Sequence, residues 1–259
     1  MNKVCIIMAI KKKYPPKKKQ SDVIPAAPKL EWSNYQKEIF KDIAKGQGNT
    51  LVIARAGAAK TSSLVQGSKY LPKRKSSLFC AFNKHIQEEL KLRLGSYVEC
   101  LTLHSLGFRA IKLRFGTDGF GEIELNNRKC WEIVKSFIGD NKEDYDLIEQ
   151  ITKCVSFCKG ALVDTPNGIE EIIYKYEIDM CDVLLKDFII YVSKALRMCK
   201  EQTSVIDFDD MIWFPFVYRL NVGKYDYVFI DESQDLNRAQ IELALSACKI
   251  GGRIIAVLD

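Results

Sequence analysis

No stretch of this 259-residue sequence approaches the ~20 consecutive apolar residues that a membrane-spanning helix needs. The apolar run from Val4 to Ile10 is short, lysines follow it, and no small-residue cleavage site comes after, which excludes a signal peptide. The nine cysteines are odd in number, scattered, and contain no C-x-x-C pair, so the chain suits a reducing, cytoplasmic compartment rather than a disulfide framework. Cys154 and Cys158 share a helix face. Yet with Cys181 and Cys199 they match no zinc or iron–sulfur spacing, and buried thiols acting as small hydrophobes are the better account. Residues 1–20 lack any acid and hold seven lysines. Without them the formal charge of +6 becomes −1, so the basicity belongs to a tail. Residues 1–29, interrupted by Pro15, Pro16, Pro25 and Pro28, read as a disordered arm, and such an arm can bind nucleic acid non-specifically through counterion release. Met1 and Met8 both stand as starts.

What is present is a mixed pattern without internal repeats, and its 47% apolar content is that of a globular chain. Ser33 caps an amphipathic helix bearing Tyr35, Ile39, Phe40 and Ile43, which Gly46 and Gly48 end. Strands are predicted at 50–54, 77–82 and 98–102, each followed by a helical pattern, and this alternation predicts an α/β domain with a parallel sheet. From about 115 to 202 the rhythm changes to helices alone, for example through Val183, Leu184, Phe188, Tyr191, Ala195 and Met198. That predicts a helical insert of roughly 85 residues, the size of a small domain, at 115–202. The α/β domain would then comprise 30–114 and 203–259, with the sheet resuming at Asp226–Ile230 and at Arg253–Leu258.

Two of the apolar runs end in chemistry. Leu51-Val52-Ile53-Ala54 leads into Arg55-Ala56-Gly57-Ala58-Ala59-Lys60-Thr61-Ser62, a small-residue loop opening a helix. Backbone N–H groups of such a loop, Ala56 to Ser62, together with the helix dipole, attract phosphate. Lys60 can reach the outer phosphates of a nucleotide and the Thr61 hydroxyl can ligate magnesium. The second run, Tyr227 to Ile230, ends in Asp231-Glu232. There an aspartate can hold a magnesium-bound water, and a glutamate can deprotonate the attacking one. A glycine–alanine turn and a charged helix start are the plain alternatives, and the two motifs together favour one nucleotide site. Ala59 stands where the full phosphate-loop pattern has glycine, which costs on the order of 1 kcal/mol if φ there is positive.

With further ordered motifs the sequence resembles the N-terminal half of a UvrD/Rep-type superfamily 1 DNA helicase over about residues 30–259, in flavour a phage-encoded one, which would place it in host cytoplasm. Tyr35-Gln36 is similar to the Q motif and Ala54–Thr61 to motif I. Ala81-Phe82-Asn83-Lys84 resembles motif Ia and Thr102-Leu103-His104-Ser105 the T-x-H-S segment. Asp207-Phe208-Asp209-Asp210-Met211 resembles D-F-D-D-L, and Asp231 to Asp235 the D-E-x-Q-D form of motif II. The resemblance implies a RecA-like P-loop domain, 1A, interrupted by a helical subdomain, 1B. It implies ATP and Mg2+ as cofactors, Gln36 on the adenine, and Lys60 and Glu232 in catalysis. Thr61 and Asp231 would sit on the metal, and Phe82, Asn83, Thr102 and His104 on single-stranded DNA. Strand-end packing for Phe82, a structural role for His104 and a surface role for Gln36 remain open beside these.

The sequence runs to Leu258-Asp259, where the family continues Gly-Asp and a motif III glutamine. A second RecA-like domain, whose arginines are worth ~10³–10⁵ in phosphoryl-transfer rate, is expected from this or another polypeptide. Two functions follow: the ATP-binding half of a DNA motor, or a non-hydrolysing helicase-like module that holds DNA or a partner. A small-molecule kinase explains neither the helical insert nor the segment 207–211.

Overall fold

The computed structural model describes residues 5–9, 31–55, 57–72, 74–116 and 122–259. The elements run β1 (Cys5–Ala9), α1 (Asn34–Lys45), β2 (Thr50–Ala54), α2 (Lys60–Ser68), β3 (Ser77–Ala81), α3 (Lys84–Arg93), β4 (Val98–Thr102) and α4 (Leu103–Phe115). They continue with β5 (Glu124–Leu125), α5 (Lys129–Ile138), α6 (Tyr145–Ala161), α7 (Pro166–Lys175), α8 (Leu185–Glu201), β6 (Val205–Ile206), α9 (Phe208–Val217), β7 (Tyr225–Ile230), α10 (Arg238–Ser246) and β8 (Cys248–Leu258). The chain divides into two compact units.

The first unit comprises 1–101, 225–235 and 248–259. Its six-stranded sheet has the order β1-β2-β8-β7-β3-β4, and the pairs β1/β2, β2/β8, β8/β7 and β7/β3 are parallel. Parallel strands covered on both faces need apolar side chains at successive positions, and β3 is buried at every residue. Phe79 and Phe229 stack across β3 and β7 with ring centroids 5.8 Å apart. Each such buried side chain contributes about 1.5–3 kcal/mol. Local chemistry sets the element ends. Ser33 and Gln36 form a reciprocal capping box at the start of α1, and the Asn83 side chain accepts from the Ile86 N–H to start α3. Arg253, buried, donates to the Gly48 and Asp42 carbonyls, the Asp42 carboxylate and the Thr50 hydroxyl, which fixes the entry into β2.

The mixed α/β expectation with a parallel sheet holds, and the strands foreseen at 50–54 and 98–102 fall where expected. Two details correct the sequence reading. Cys5–Ala9, placed there within a disordered arm, pairs with β2 in register from Cys5↔Thr50 to Ala9↔Ala54. A run of β-formers completes a sheet edge even with lysines downstream. The other arm residues, 1–4 and 10–29, lie outside the described residues. Within the stretch read as purely helical, Glu124–Leu125 pairs in parallel with Val205–Ile206.

The second unit comprises 102–224 and 236–247. It is helical around a core of Val134, Ile148, Ile151, Val155, Phe188, Val192 and Phe214. The helices α4 and α9 meet at Gly107, where an added Cβ would lie 1.8 Å from the Met211 carbonyl oxygen, so only glycine allows that approach. Four charged groups sit inside this core. Lys129 Nζ donates to Asp210 Oδ2 at 2.6 Å and to the Cys199 and Gln202 carbonyls, while Lys159 Nζ lies 2.8 Å from Asp207 Oδ2 and from Asp210 Oδ1. Burial alone would lower the Lys159 pKa, but the fields of Asp210, Cys199 and Asp207 outweigh it and hold the ammonium charged. Asp207 and Asp210 also form a capping box that opens α9.

Candidate functional site

The first unit brings the two chemical runs to one place. The order β2-β8-β7 puts the loop after β2 and the carboxylates after β7 one strand apart, at the carboxyl ends of parallel strands. Lys60 Nζ donates to Glu232 Oε2 at 3.0 Å and also to the Asp259 carboxylate, while the Thr61 hydroxyl donates to Asp231. Burial would lower the Lys60 pKa, yet the two carboxylate partners win and raise it, so the ammonium persists across neutral pH. Burial pushes the Asp231 carboxyl up, against the Thr61 hydrogen bond and the Lys60 charge.

The backbone around these groups is strained where chemistry gathers. Gly57 takes φ 77, and Ala59 takes φ 58 and ψ 43 at the N-terminus of α2. Glu232 takes φ 50 immediately after β7. Left-handed non-glycine residues cost roughly 1–2 kcal/mol each and cluster at functional sites. The positive φ that would make Ala59 costly is therefore present. The Ala58 N–H closes a tight turn on the Arg55 carbonyl at 3.0 Å, and the Ser63 hydroxyl donates to the Ala59 carbonyl at 2.9 Å. Ser62 accepts from Arg93 at 2.8 Å. Ala56 lies outside the described residues.

Gln36 bridges into the same region. Its Oε1 accepts from the Ser33 N–H at 2.9 Å and its Nε2 donates to Ser63 Oγ at 3.0 Å. It lines a small pocket with Ile39, Val52, Ala54, Ala58, Lys60, Ser63, Leu64 and Val257. The donor set fits a magnesium nucleotide: one ammonium for phosphate charge, and a hydroxyl and a carboxylate as the hard oxygen ligands magnesium prefers. Among the described residues no group of three or more His, Cys, Asp or Glu side chains could hold a metal by itself. The described cysteines are free, with Cys154, Cys158 and Cys199 buried, as hydrophobes are.

The residues expected on DNA fall in both units. In the first, Phe82 follows β3 and is 50% exposed, and Asn83 is the exposed cap of α3. In the second, Thr102 caps α4 through Ser105 and is buried. His104, in the first turn of α4, is half-buried, and burial lowers its pKa, so the imidazole is neutral at pH 7.

The chain matches the UvrD/REP helicase N-terminal domain over residues 35–259. It belongs to that family. Among curated relatives, this UvrD/REP-type chain is 43% identical over 211 residues to F-box DNA helicase protein 1 of Schizosaccharomyces pombe, covering 74% of this chain and 23% of that protein. It is 25% identical over 222 residues to F-box DNA helicase 1 of Gallus gallus, covering 75% and 20%. The chain thus spans about a fifth of the length of these relatives. The resemblance read from the ordered motifs holds, and the family implies ATP, Mg2+ and DNA in general terms. Among the described residues no helix is long and apolar enough to cross a membrane.

Sequence reasoning misses four residues. In the sequence Asp259 stands only as a departure from the family pattern, and nothing local signals that its carboxylate meets Lys60. Arg93 reaches Ser62 from the far end of α3. Lys129 and Lys159 look like solvated helix lysines, and only the packed helices reveal that both are buried on Asp207 and Asp210.

Proposed function

We propose that this chain is the ATP-binding half of a superfamily 1 DNA helicase, which drives movement on single-stranded DNA together with a second RecA-like domain from the same or another polypeptide. The observation that carries the reading is the meeting of Lys60 and Thr61 with Glu232 and Asp231 across the β2-β8-β7 ends. When bound, MgATP supplies the phosphoryl group and the charge neutralisation of its transfer. Lys60 holds the outer phosphate charge. The Thr61 hydroxyl and the Asp231 carboxylate would hold the metal. Glu232 accepts a proton from the attacking water at its carboxylate, once Lys60 has left it for phosphate. Gln36 reads the base, and Ala56 to Ser62 present backbone N–H groups to phosphate. Residues 30–114 and 203–259 serve as domain 1A and residues 115–202 as 1B. Phe82, Asn83, Thr102 and His104 contact single-stranded DNA. The chain works in the cytoplasm, as its free cysteines favour.

A second reading, a non-hydrolysing module that holds DNA or a partner, draws on the left-handed Ala59 and on the two carboxylates already bound to Lys60. Titration with labelled ATP separates the two. The motor reading expects Mg2+-dependent binding by the wild type that Lys60→Ala abolishes. Equal, negligible binding by both proteins leaves the module.

A further inference from the structure

We propose that Ser63 is a positioning residue that makes alanine workable at position 59: its hydroxyl pins the carbonyl of the left-handed Ala59 and, through it, the peptide that leads into Lys60. The proposal rests on the reading of this loop as the nucleotide site and deepens it by one residue.

Ala59 precedes Lys60 and is the N-cap of α2, and no side chain caps that helix. Its φ of 58 is one that alanine leaves readily. A strained residue persists only where its surroundings over-determine it. Here that work falls to one buried serine. The Ser63 N–H reaches the Ala59 carbonyl at 2.9 Å, as helix geometry requires, and the Ser63 hydroxyl reaches the same oxygen at 2.9 Å. Both lone pairs of that carbonyl are therefore taken by a single residue. The peptide between Ala59 and Lys60 cannot swing to relieve the alanine without breaking two hydrogen bonds at once.

A serine hydroxyl bonded back to the carbonyl four residues earlier is common in helices, and by itself it would mean little. Two features set this one apart. The carbonyl it holds belongs to a left-handed residue. The hydroxyl is also aimed from outside the helix, because Gln36 Nε2 donates to Ser63 Oγ at 3.0 Å while Gln36 Oε1 accepts from the Ser33 N–H at 2.9 Å. A backbone N–H can only donate, so it fixes which end of the Gln36 amide faces Ser33 and leaves the amide nitrogen for Ser63. With its oxygen already accepting, the hydroxyl turns its own hydrogen to Ala59. Donor meets acceptor at every link from Ser33 through Gln36 and Ser63 to Ala59, all within the first unit. Hydrogen bonds in such a series polarise and strengthen one another. A glycine before Lys60 would need none of this, since a left-handed φ carries no steric cost for it.

The test is a double-mutant cycle, read by titration of the full chain with a fluorescently labelled ATP and magnesium. In the natural chain Ser63→Ala should weaken binding by roughly 3- to 10-fold, the worth of one hydrogen bond. Ser63→Thr, which keeps the hydroxyl, should restore it. On top of Ala59→Gly, the same Ser63→Ala change should cost less than about 2-fold, because the two positions are coupled. Hydrogen exchange of the nucleotide-free chain gives a second readout. The segment that opens α2 should exchange faster in Ser63→Ala than in the wild type, and the difference should vanish when Ala59→Gly is added. An equal loss of binding in both backgrounds would make the hydroxyl an ordinary helix contact and overturn the proposal. Binding and exchange left unchanged by Ser63→Ala would overturn it as well. If the wild type itself binds no magnesium nucleotide, the functional reading falls and this inference falls with it.

Discussion

Lys60 Nζ lies 3.0 Å from Glu232 Oε2, although 172 positions separate the two residues. The Asp259 carboxylate takes a second hydrogen bond from the same ammonium. The ammonium charge is thus already compensated, and under the proposed function a nucleotide has to displace at least one carboxylate.

That displacement can be measured. Asp259 is the more exposed of the two partners, at 46% against 32% for Glu232. Removing its charge in Asp259→Asn should tighten MgATP binding by roughly 2- to 5-fold, the worth of a half-exposed ion pair. Weaker binding by Asp259→Asn, read by titration with a fluorescent nucleotide, would make Asp259 a support for the site and not a competitor.

Ala59 supplies a second measurement. Its φ of 58 and ψ of 43 are easy for glycine and strained for alanine by about 1 kcal/mol. Ala59→Gly should therefore raise the melting temperature by roughly 2–4 °C for a chain of this size. No rise, or a fall, in a calorimetric scan would show that the methyl group is accommodated without strain.

The buried charges of the helical unit make a third. Lys159→Met leaves Asp207 and Asp210 short of a counter-charge inside a closed core. Breaking one partner out of such a network costs about 3–5 kcal/mol. Urea unfolding followed by circular dichroism should show that loss, and a change below about 1 kcal/mol would mean the carboxylates are relieved by water or protonation.

A fourth concerns acid. Burial would push the Asp226 carboxyl up, but Lys249, Ser76 and Lys75 donate to it and hold it well below the usual carboxylate range. A carboxyl depressed in the folded state stabilises the fold above its unfolded pKa of about 3.9 and loses that contribution as pH falls through the lower folded value. Asp226→Asn should accordingly be less stable than the wild type at pH 6, and the difference should shrink as pH drops below about 4. A constant difference across that window in thermal melts would assign the effect to packing.

Much of the candidate site is legible in the sequence because its parts are local. A strand, a small-residue loop and Lys60-Thr61 form one continuous segment, and Asp231-Glu232 ends another. The Ser33, Asn83 and Asp207 caps announce helix starts by chemistry that acts within three residues. Long-range pairings left no such trace. The strand Cys5–Ala9 reads as the front of a lysine-rich arm until β2 offers it an edge, and β5 and β6, of two residues each, are too short to show a period. The two compact units divide at Leu101/Thr102, whereas hydrophobic periodicity changes near 115, because α4 packs with α9 although it follows a β-strand in the usual rhythm.

The position of β8 in the middle of the sheet has a consequence for how the protein is made. β2 and β7 have no direct pairing, and each waits for Cys248–Leu258 to come between them. On the ribosome, where N-terminal segments emerge first, Lys60 is synthesised long before either carboxylate it will meet. Closure of such distant pairings is slow. Until it happens the flanks of β2 and β7 that face β8 keep their backbone N–H and C=O groups unpaired.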